Sequence, residues 1–338
     1  MLTVSVPPPS ASPAAAGLSI IVPVYNEAAN LPVLHARLLA LTAEFARRRG
    51  LKVEIVYVDD GSRDTSLAVL RTLPSDGADL QVLSFSRNFG KEAALMAGLD
   101  FARNGALLFM DADGQHPPEM VEKLVSLWLD EGFDVAYTAK AHRRNEPALR
   151  RFFVLTFYYL LNRGARHPIP PDAGDFRLLS PRAAAALRQL PERNRFFKGL
   201  SSWIGFRQIC VPYEPAQRLH GMSSWSFQSL VGLSIEGLTS FSVAPLRVAS
   251  VFGFLFAGSA LVYGAWIVLE KLIWGITVPG YPSLMVAVSI IGGTQLIMIG
   301  VLGEYIAKIL SELKGRPIYF LAEHEVRDAA PAPRDTVS

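Results

Sequence analysis

Two carboxylates one residue apart, Asp111 and Asp113, directly follow a short apolar run, Leu107–Met110. The run has the composition of a buried β-strand, and open α/β sheets bind their ligands where such strands end. With the amide of Gln115, the carboxylates offer the hard oxygen ligands that Mg²⁺ or Mn²⁺ takes when it also holds a phosphate group. A plain turn after an edge strand has the same composition. The surrounding sequence must decide between a metal site and a turn.

Apolar runs alternate with segments of helical periodicity over the first third of the chain. The runs are Leu18–Val24, Val53–Val58, Leu80–Phe85 and Leu107–Met110. This alternation predicts an α/β domain with a parallel, doubly wound sheet. Polar residues follow each run, so we expect one edge of the sheet to form a polar cleft. No G-x-G-x-x-G motif follows the first run and no Walker motif occurs, which argues against dinucleotide-binding and P-loop proteins.

The chain is apolar for a soluble enzyme, with 50% hydrophobic and 19% charged residues, and the excess lies near the C-terminus. Val248–Leu269 and Ser283–Gly303 contain no charged residue, and each has the ~20 residues that span a bilayer. Basic residues flank the outer ends of these segments, so the positive-inside rule predicts a helical hairpin with both termini cytoplasmic. Small residues at Ala249, Gly253 and Ala257 favour close helix packing, within the hairpin or in an oligomer.

Other segments complete the predicted organisation. Residues 148–163 are basic and aromatic but too short to span a bilayer; they suit an interfacial helix, with a buried core helix as the alternative. Residues 226–246 suit a juxtamembrane amphipathic helix. Residues 1–17 predict a disordered leader, and residues 311–338 a cytoplasmic tail that is disordered after Leu321.

The predicted α/β domain with its polar cleft therefore covers residues 18–225. Residues 247–310 hold the two transmembrane helices, at about 247–270 and 283–306. A net charge of +3 without a Lys/Arg block argues against a nucleic-acid partner. The single cysteine, Cys210, excludes an internal disulfide.

Motifs along most of the chain carry a resemblance to known enzymes. They are Ile21–Glu27, Val58–Ser62, Asp111–Asp113, Asp172–Leu178, Arg195–Leu200, Phe241–Arg247, Gly303–Tyr305 and Gly315–Pro317. The first three resemble the signatures of family 2 glycosyltransferases with the GT-A fold. The others resemble the polyisoprenyl-phosphate glycosyltransferases, a two-span membrane branch that includes the dolichyl-phosphate mannose synthase and bactoprenol glucosyltransferase types. The resemblance implies a Rossmann-like cytosolic GT-A domain, interfacial amphipathic helices and a C-terminal transmembrane hairpin.

The resemblance also implies a donor site and a metal site. The residues implied for nucleotide-sugar binding are Pro23, Tyr25, Glu27, Asp59, Asp60, Lys91 and Asp111. For Asp59 and Asp60 the alternative is a turn before a capped helix. Asp111, Asp113 and Gln115 would hold Mg²⁺ or Mn²⁺ on the donor diphosphate. Lys91 either adds positive charge there or is a solvated surface lysine.

For the acceptor, the resemblance implies a lipid phosphate held by Arg144 and Arg218, with Ser223 donating a hydrogen bond. Asp175 either acts with Asp111 and Asp113 in catalysis, by orienting the acceptor or the sugar, or is a structural carboxylate that pairs with Arg177. His116 is interpreted as a turn residue.

The implied reaction is the transfer of one sugar, with inversion, from a nucleotide-sugar to a polyprenyl phosphate at the cytoplasmic face of the cell (inner) membrane. Our first expectation is UDP-glucose and undecaprenyl phosphate, with the product used to modify cell-envelope glycans. GDP-mannose and UDP-aminosugars are alternative donors. The resemblance further suggests a homo-tetramer.

One position departs from the family pattern. Ser224 stands where a lysine is usual, so either another Arg or Lys compensates or the acceptor is bound more weakly. A non-catalytic nucleotide-binding membrane subunit is the alternative from another class, although the intact Asp111 and Asp113 pair argues against it. A processive polysaccharide synthase would need more spans and a Gln-x-x-Arg-Trp motif, which this sequence does not contain.

Overall fold

The computed structural model describes residues 17–140, 173–190, 192, 197–214, 244–274 and 280–329. The chain divides into two compact units. One contains the sheet and its helices, and the other contains the hairpin within Trp225–Arg316. The predicted interfacial helix at 148–163 lies outside the described residues, as do residues 226–243 of the juxtamembrane helix predicted at 226–246 and nearly all of the predicted leader.

The described part of the first unit is built on one mixed sheet in the order β7-β5-β6-β4-β1-β2-β3-β8. Its strands are β1 (Leu18–Val24), β2 (Val53–Asp59), β3 (Asp79–Phe85), β4 (Ala106–Phe109), β5 (Val135–Lys140), β6 (Ala173–Leu179), β7 (Gln208–Tyr213) and β8 (Leu321–Arg327). The first four strands are parallel, as predicted. Beyond these four strands the sheet is mixed rather than parallel, because β6 runs antiparallel to β4 and β5, and β8 runs antiparallel to β3.

The helices of this unit follow the strands. They are α1 (Leu31–Arg49), α2 (Ser66–Thr72), α3 (Lys91–Phe101), α4 (Pro118–Leu129), α5 (Pro181–Arg188) and α6 (Phe197–Trp203). Helix α1 buries the apolar side chains of Leu31, Leu34, Leu38, Leu41 and Phe45, and it ends at Gly50 in the left-handed conformation. Helix α3 lies so close to the sheet that a Cβ on Gly98 would come within 2.2 Å of the Ile21 side chain. Small residues let α3 lie this close to β1.

Strand β8 corrects the prediction that the chain is disordered after Leu321. It pairs with β3 at the edge of the sheet, with His324 opposite Leu83. Polar contacts fix it: His324 bonds Gln81 at 2.8 Å, and the Arg327 guanidinium donates to Leu70 O at 2.9 Å. The segment is polar because it contacts polar groups on β3 and α2. For this reason its composition resembles that of a disordered tail. The chain thus returns to the catalytic sheet after the hairpin.

The second unit contains two long helices, α7 (Ala244–Trp274) and α8 (Tyr281–Leu313). The spans predicted at 247–270 and 283–306 lie wholly within them. Both helices are long and apolar enough to cross a membrane, and their large apolar side chains are exposed, Phe254 to 85%. A Cβ on Gly253 would lie 2.9 Å from Met298 Cε, so this small residue of α7 faces α8. The small-residue face predicted on α7 therefore contributes to hairpin packing at Gly253.

Candidate active site

The site lies where the parallel strands end. In the sheet register, Val24 at the end of β1 is opposite Asp59 at the end of β2, and Phe109 at the end of β4 is opposite Ile21. The loops that carry Tyr25, Asp60 and Asp111 therefore leave the same edge of the sheet. This is the polar edge that the sequence predicted.

The loops after β1 and β2 are joined by Asn26. Its backbone is in the left-handed region at φ 56°, which asparagine tolerates better than most residues. The backbone N–H of Asn26 donates to Ser62 Oγ at 3.0 Å. The side-chain Oδ1 of Asn26 accepts a hydrogen bond from the backbone N–H of Arg63 at 2.8 Å. Sequence reasoning assigned Asn26 no role; its place between two site residues, Tyr25 and Glu27, was the available signal.

Asp59 and Asp60 are both buried and already accept hydrogen bonds from the chain. Asp59 accepts from Ser84 Oγ at 3.0 Å, and Asp60 accepts from the backbone N–H groups of Phe89 at 2.7 Å and Gly90 at 3.0 Å. Burial raises the pKa of Asp60 to about 6, although these N–H groups act in the opposite direction. The two carboxylates thus hold neighbouring loops in place, and their contact with a nucleotide stays a prediction.

The remaining predicted donor residues lie near the end of β1, Pro23 within the strand and Tyr25 and Glu27 on the loop after it. Tyr25 is 41% exposed and could stack on a planar ligand. Pro23 is half-buried, and the Glu27 carboxylate accepts a bond from Asn30 Nδ2 at 2.5 Å. The structure therefore brings Pro23, Tyr25 and Glu27 together, and their roles as donor ligands remain predictions.

Lys91 occupies the centre of the charged cluster. Its Nζ lies 2.5 Å from Asp111 Oδ1 and 2.7 Å from Asp175 Oδ2. The lysine side chain is 38% exposed, but its ammonium pairs with two carboxylates and is not simply solvated. Burial lowers its pKa, but the two carboxylates outweigh this effect and raise the pKa above the usual range. Lys91 therefore stays protonated at physiological pH.

Asp175, on β6, is the more buried of the two carboxylates, with 16% of its side chain exposed. Burial would raise its pKa, but the positive charges of Lys91, Lys198 and Arg177 hold the pKa far below the ordinary value. Lys198 Nζ lies 3.4 Å from Asp175 Oδ1. The Arg177 guanidinium, the partner suggested by the sequence, adds its positive charge near Asp175 and donates to Gly174 O at 2.7 Å and to Ser201 Oγ.

Two residues that sequence reasoning left without a role complete this cluster. Glu92 accepts a hydrogen bond from Phe197 N–H at 2.9 Å, which fixes the start of α6 beside α3. Burial, and next the charge of Asp175, raise the pKa of Glu92 to about 7. Lys198 follows on the first turn of α6. Glu92 and Lys198 could not be assigned to the site from the sequence, because α3, β6 and α6 are distant in sequence and are brought together only by the fold.

The turn after β4 is held by His116, which is more than the turn residue we predicted. His116 is buried, its ring stacks on Phe176 at 4.2 Å between centroids, and its Nδ1 accepts a bond from Asp111 N–H at 3.3 Å. Burial lowers its pKa, consistent with a neutral ring whose Nδ1 is an acceptor. The imidazole therefore orients the backbone that carries Asp111.

Asp113 and Gln115 lie on the same turn, where Gln115 N–H donates to Asp113 Oδ1 at 3.1 Å. Among the described residues, no group of three or more His, Cys, Asp or Glu side chains could hold a metal ion. A Mg²⁺ or Mn²⁺ ion that is also bound to phosphates needs only one or two carboxylates. The donors Asp111, Asp113 and Gln115 thus fit an ion of this kind. The predicted acceptor residues Arg144, Arg218 and Ser223, and Ser224, lie outside the described residues.

Comparison with known proteins covers both units. Residues 19–187 match glycosyl transferase family 2, and residues 244–309 match the GtrB C-terminal hairpin. An uncharacterized glycosyltransferase of Synechocystis sp. is 40% identical over 306 residues, 90% of this chain and 95% of that relative. The SfII prophage-derived bactoprenol glucosyl transferase of Shigella flexneri is 40% identical over 304 residues, 90% of this chain and 97% of that relative.

Solved structures also show similarity to this chain. Glucosyl-3-phosphoglycerate synthase from Mycobacterium tuberculosis, in complex with Mn²⁺, uridine-diphosphate and glucosyl-3-phosphoglycerate, matches with a TM-score of 0.44 and 19% identity. The match covers 67% of this chain and 78% of that one.

Proposed function

The chain belongs to glycosyltransferase family 2, and from that premise we propose that it transfers a single sugar from a nucleotide-sugar to a polyprenyl phosphate. The observation that carries the proposal is the 40% identity to a bactoprenol glucosyl transferase along 90% of the chain. That similarity extends over the sheet unit and the hairpin together. We propose UDP-glucose as the donor and undecaprenyl phosphate as the acceptor, with GDP-mannose or a UDP-aminosugar as the alternative donors.

The charged cluster supports this chemistry. Asp111, Asp113 and Gln115 would hold a Mg²⁺ or Mn²⁺ ion, which when bound neutralises the charge that develops on a departing diphosphate. Lys91, already protonated beside Asp111, can donate N–H groups to the same diphosphate. Tyr25, Glu27 and Asp59 would bind the nucleoside from the neighbouring loops.

The acceptor needs little help from a general base. A phosphate monoester has its second pKa near ~6 and is largely dianionic at neutral pH, so its oxygen is a ready nucleophile. The protein must therefore bind and orient the phosphate, which suits arginine forks such as those of Arg144 and Arg218, with Ser223. One displacement at the anomeric carbon inverts its configuration. Asp175 would serve as an orienting carboxylate rather than a proton acceptor, since its pKa lies far below neutrality.

The chain path supports a location at one membrane face. Strand β8 follows the hairpin and pairs with β3, so both ends of the hairpin connect to one sheet. The chain must then cross the bilayer an even number of times. With the basic flanks of the two spans, this supports a catalytic domain and both termini on the cytoplasmic side of the cell membrane. Assembly as a tetramer is part of the proposal.

The test is transfer by the detergent-solubilised protein from a panel of radiolabelled UDP- and GDP-sugars to undecaprenyl phosphate, with Mg²⁺ or Mn²⁺. The proposal predicts labelled lipid from one donor, with UDP-glucose the best. Labelled lipid from another donor alone would replace the proposed sugar and keep the reaction. Nucleotide binding without labelled lipid from any donor would favour the non-catalytic subunit.

A further inference from the structure

The Lys91 ammonium lies on the same carboxylate that would bind a divalent ion. Its Nζ is 2.5 Å from Asp111 Oδ1 and 2.7 Å from Asp175 Oδ2. We infer that Lys91 and a divalent cation compete for Asp111, and that Lys91 keeps Asp175 when the ion takes Asp111. The inference rests on the proposed metal role of Asp111. It makes Lys91 a positioning residue that sets how tightly the ion binds.

The competition follows from size and charge. Mg²⁺ binds carboxylate oxygens at roughly 2.0–2.1 Å, so an ion on Asp111 Oδ1 would overlap with an ammonium that contacts the same oxygen. An ion on the other oxygen of Asp111 would still be close to Nζ. Repulsion between a single and a double positive charge at such a distance is twice that between two single charges. Binding of the ion therefore requires Lys91 to move away from Asp111.

Asp175 is a second carboxylate partner with which Lys91 can remain paired after it leaves Asp111. It is more buried than Asp111, with 16% of its side chain exposed against 32%. Lys198 approaches its other oxygen only to 3.4 Å, which is too long for a strong hydrogen bond. A lysine carries three N–H donors on a flexible stem. Lys91 can thus hold Asp175 with one donor and turn the others to an anionic ligand, so the positive charge stays in the site.

The test is Mn²⁺ binding by the full-length, detergent-solubilised protein without nucleotide or lipid, followed by the electron paramagnetic resonance signal of free Mn²⁺. Lys91→Gln should bind Mn²⁺ about tenfold more tightly than the wild type, because the competing charge is gone. Lys91→Arg should bind like the wild type. Lys52→Gln is the matched control, since Lys52 also pairs with an aspartate, Asp79 at 2.9 Å, at the opposite edge of the sheet.

A double-variant cycle separates competition from simple loss of structure. Asp175→Asn should weaken Mn²⁺ binding more in the wild type than in the Lys91→Gln background, because only in the wild type does it leave Lys91 dependent on Asp111 alone. Lys91→Met replaces Lys91→Gln if the latter unfolds.

Equal or weaker Mn²⁺ binding by the uncharged Lys91 variants, or no binding by them, would overturn the inference. An equal effect of Asp175→Asn in both backgrounds would do the same. The readout is Mn²⁺ binding and does not depend on turnover. The inference can therefore fail while sugar transfer is confirmed, and it can hold even if the protein transfers sugar from no donor.

Discussion

At the scale of single residues, the site is a compact set of opposite charges. Asp111 and Asp175 face Lys91, and Asp175 also faces Lys198. The attraction between these opposite charges offsets the cost of desolvating them, so the groups of a partly buried site can remain ionised. Glu92 lies beside this set with a pKa of about 7. It is the member of the cluster whose charge changes near physiological pH.

Glu92 should make stability depend on pH. Its ordinary pKa is 4.5 and its folded pKa is about 7, so the folded chain holds an extra proton between these values. The wild type therefore loses stability as pH rises through that window. Glu92→Gln removes this loss, and its unfolding midpoint relative to wild type should rise between about pH 5 and pH 8 by the equivalent of roughly 1–3 kcal/mol.

Thermal unfolding in detergent across this pH range measures the effect. The matched control is Glu131→Gln, because Glu131 is exposed on the same unit. A Glu92→Gln midpoint that runs parallel to that of the wild type at every pH would show that Glu92 does not titrate in this window.

Much of the site could be predicted from the sequence, and the omissions have a common cause. Asp111 and Asp113 were predictable because a buried strand ends in front of them. Lys198 and Glu92 were not predictable, because each reaches the site through a contact between segments that are distant in sequence. The hydrogen bond between Glu92 and Phe197 is an example. A turn residue such as His116 gives no sign in sequence that its ring will stack on Phe176 of another strand.

At the scale of elements, the loops after β2 and β3 approach each other at Gly61. Gly61 has φ +64°, and a Cβ there would lie 2.5 Å from the carbonyl carbon of Arg87. Gly50 has nearly the same φ, +61°, but no atom within 4 Å of its would-be Cβ. Comparing alanine substitutions at Gly61 and Gly50 therefore separates the cost of backbone strain from the cost of steric overlap.

Gly61→Ala should lower the free energy of unfolding by about 1–3 kcal/mol more than Gly50→Ala, because it adds overlap with a backbone to a similar φ penalty. Chemical denaturation of both variants in detergent gives the comparison. Equal losses would mean that the two loops can separate at little cost. Nucleotide binding should also weaken in Gly61→Ala alone.

Strand β8 should stabilise the catalytic sheet although it follows the membrane hairpin. A chain ended at Pro317 should unfold at a lower temperature than the full chain and aggregate more readily, because the edge of β3 is uncovered. A chain ended at Ala329 keeps β8 and is the control. The same midpoint for both truncated chains would show that β8 adds nothing to the sheet.

Elements with their own periodicity were the predictable ones. The first four strands each begin and end within one residue of the predicted bounds. Strands β6 and β8 join the sheet antiparallel, without the strand–helix alternation that revealed the first four strands. For β8 the sequence is also misleading, since its charged side chains pair with groups such as Arg71.

At the scale of the whole molecule, two long apolar helices lie between β7 and β8, two strands of one sheet. The single cysteine makes the orientation measurable, because Cys210 is exposed on the sheet unit. A membrane-impermeant maleimide should label it in inside-out vesicles and not in intact cells. Burial raises the pKa of the thiol, so labelling should speed up as pH rises.

Two variants control this orientation experiment. Cys210→Ser should remove labelling from both preparations. Gly280→Cys in that background lies between the helices and should label from the outside of intact cells. Labelling of Cys210 in intact cells would place the catalytic domain on the wrong side of the membrane for a cytoplasmic nucleotide-sugar.

The central claim is that this site moves one sugar onto a lipid phosphate with the help of Asp113. The most direct measurement is mass spectrometry of the lipids after the purified protein is incubated with UDP-glucose, undecaprenyl phosphate and Mg²⁺. We predict undecaprenyl phosphate bearing a single hexose for the wild type and for Asp76→Ala on an exposed loop, and a more than ~100-fold lower rate for correctly folded Asp113→Ala. Undiminished product from Asp113→Ala, or with a chelator, would contradict the assignment of the metal site. A lipid carrying several sugars would contradict single transfer.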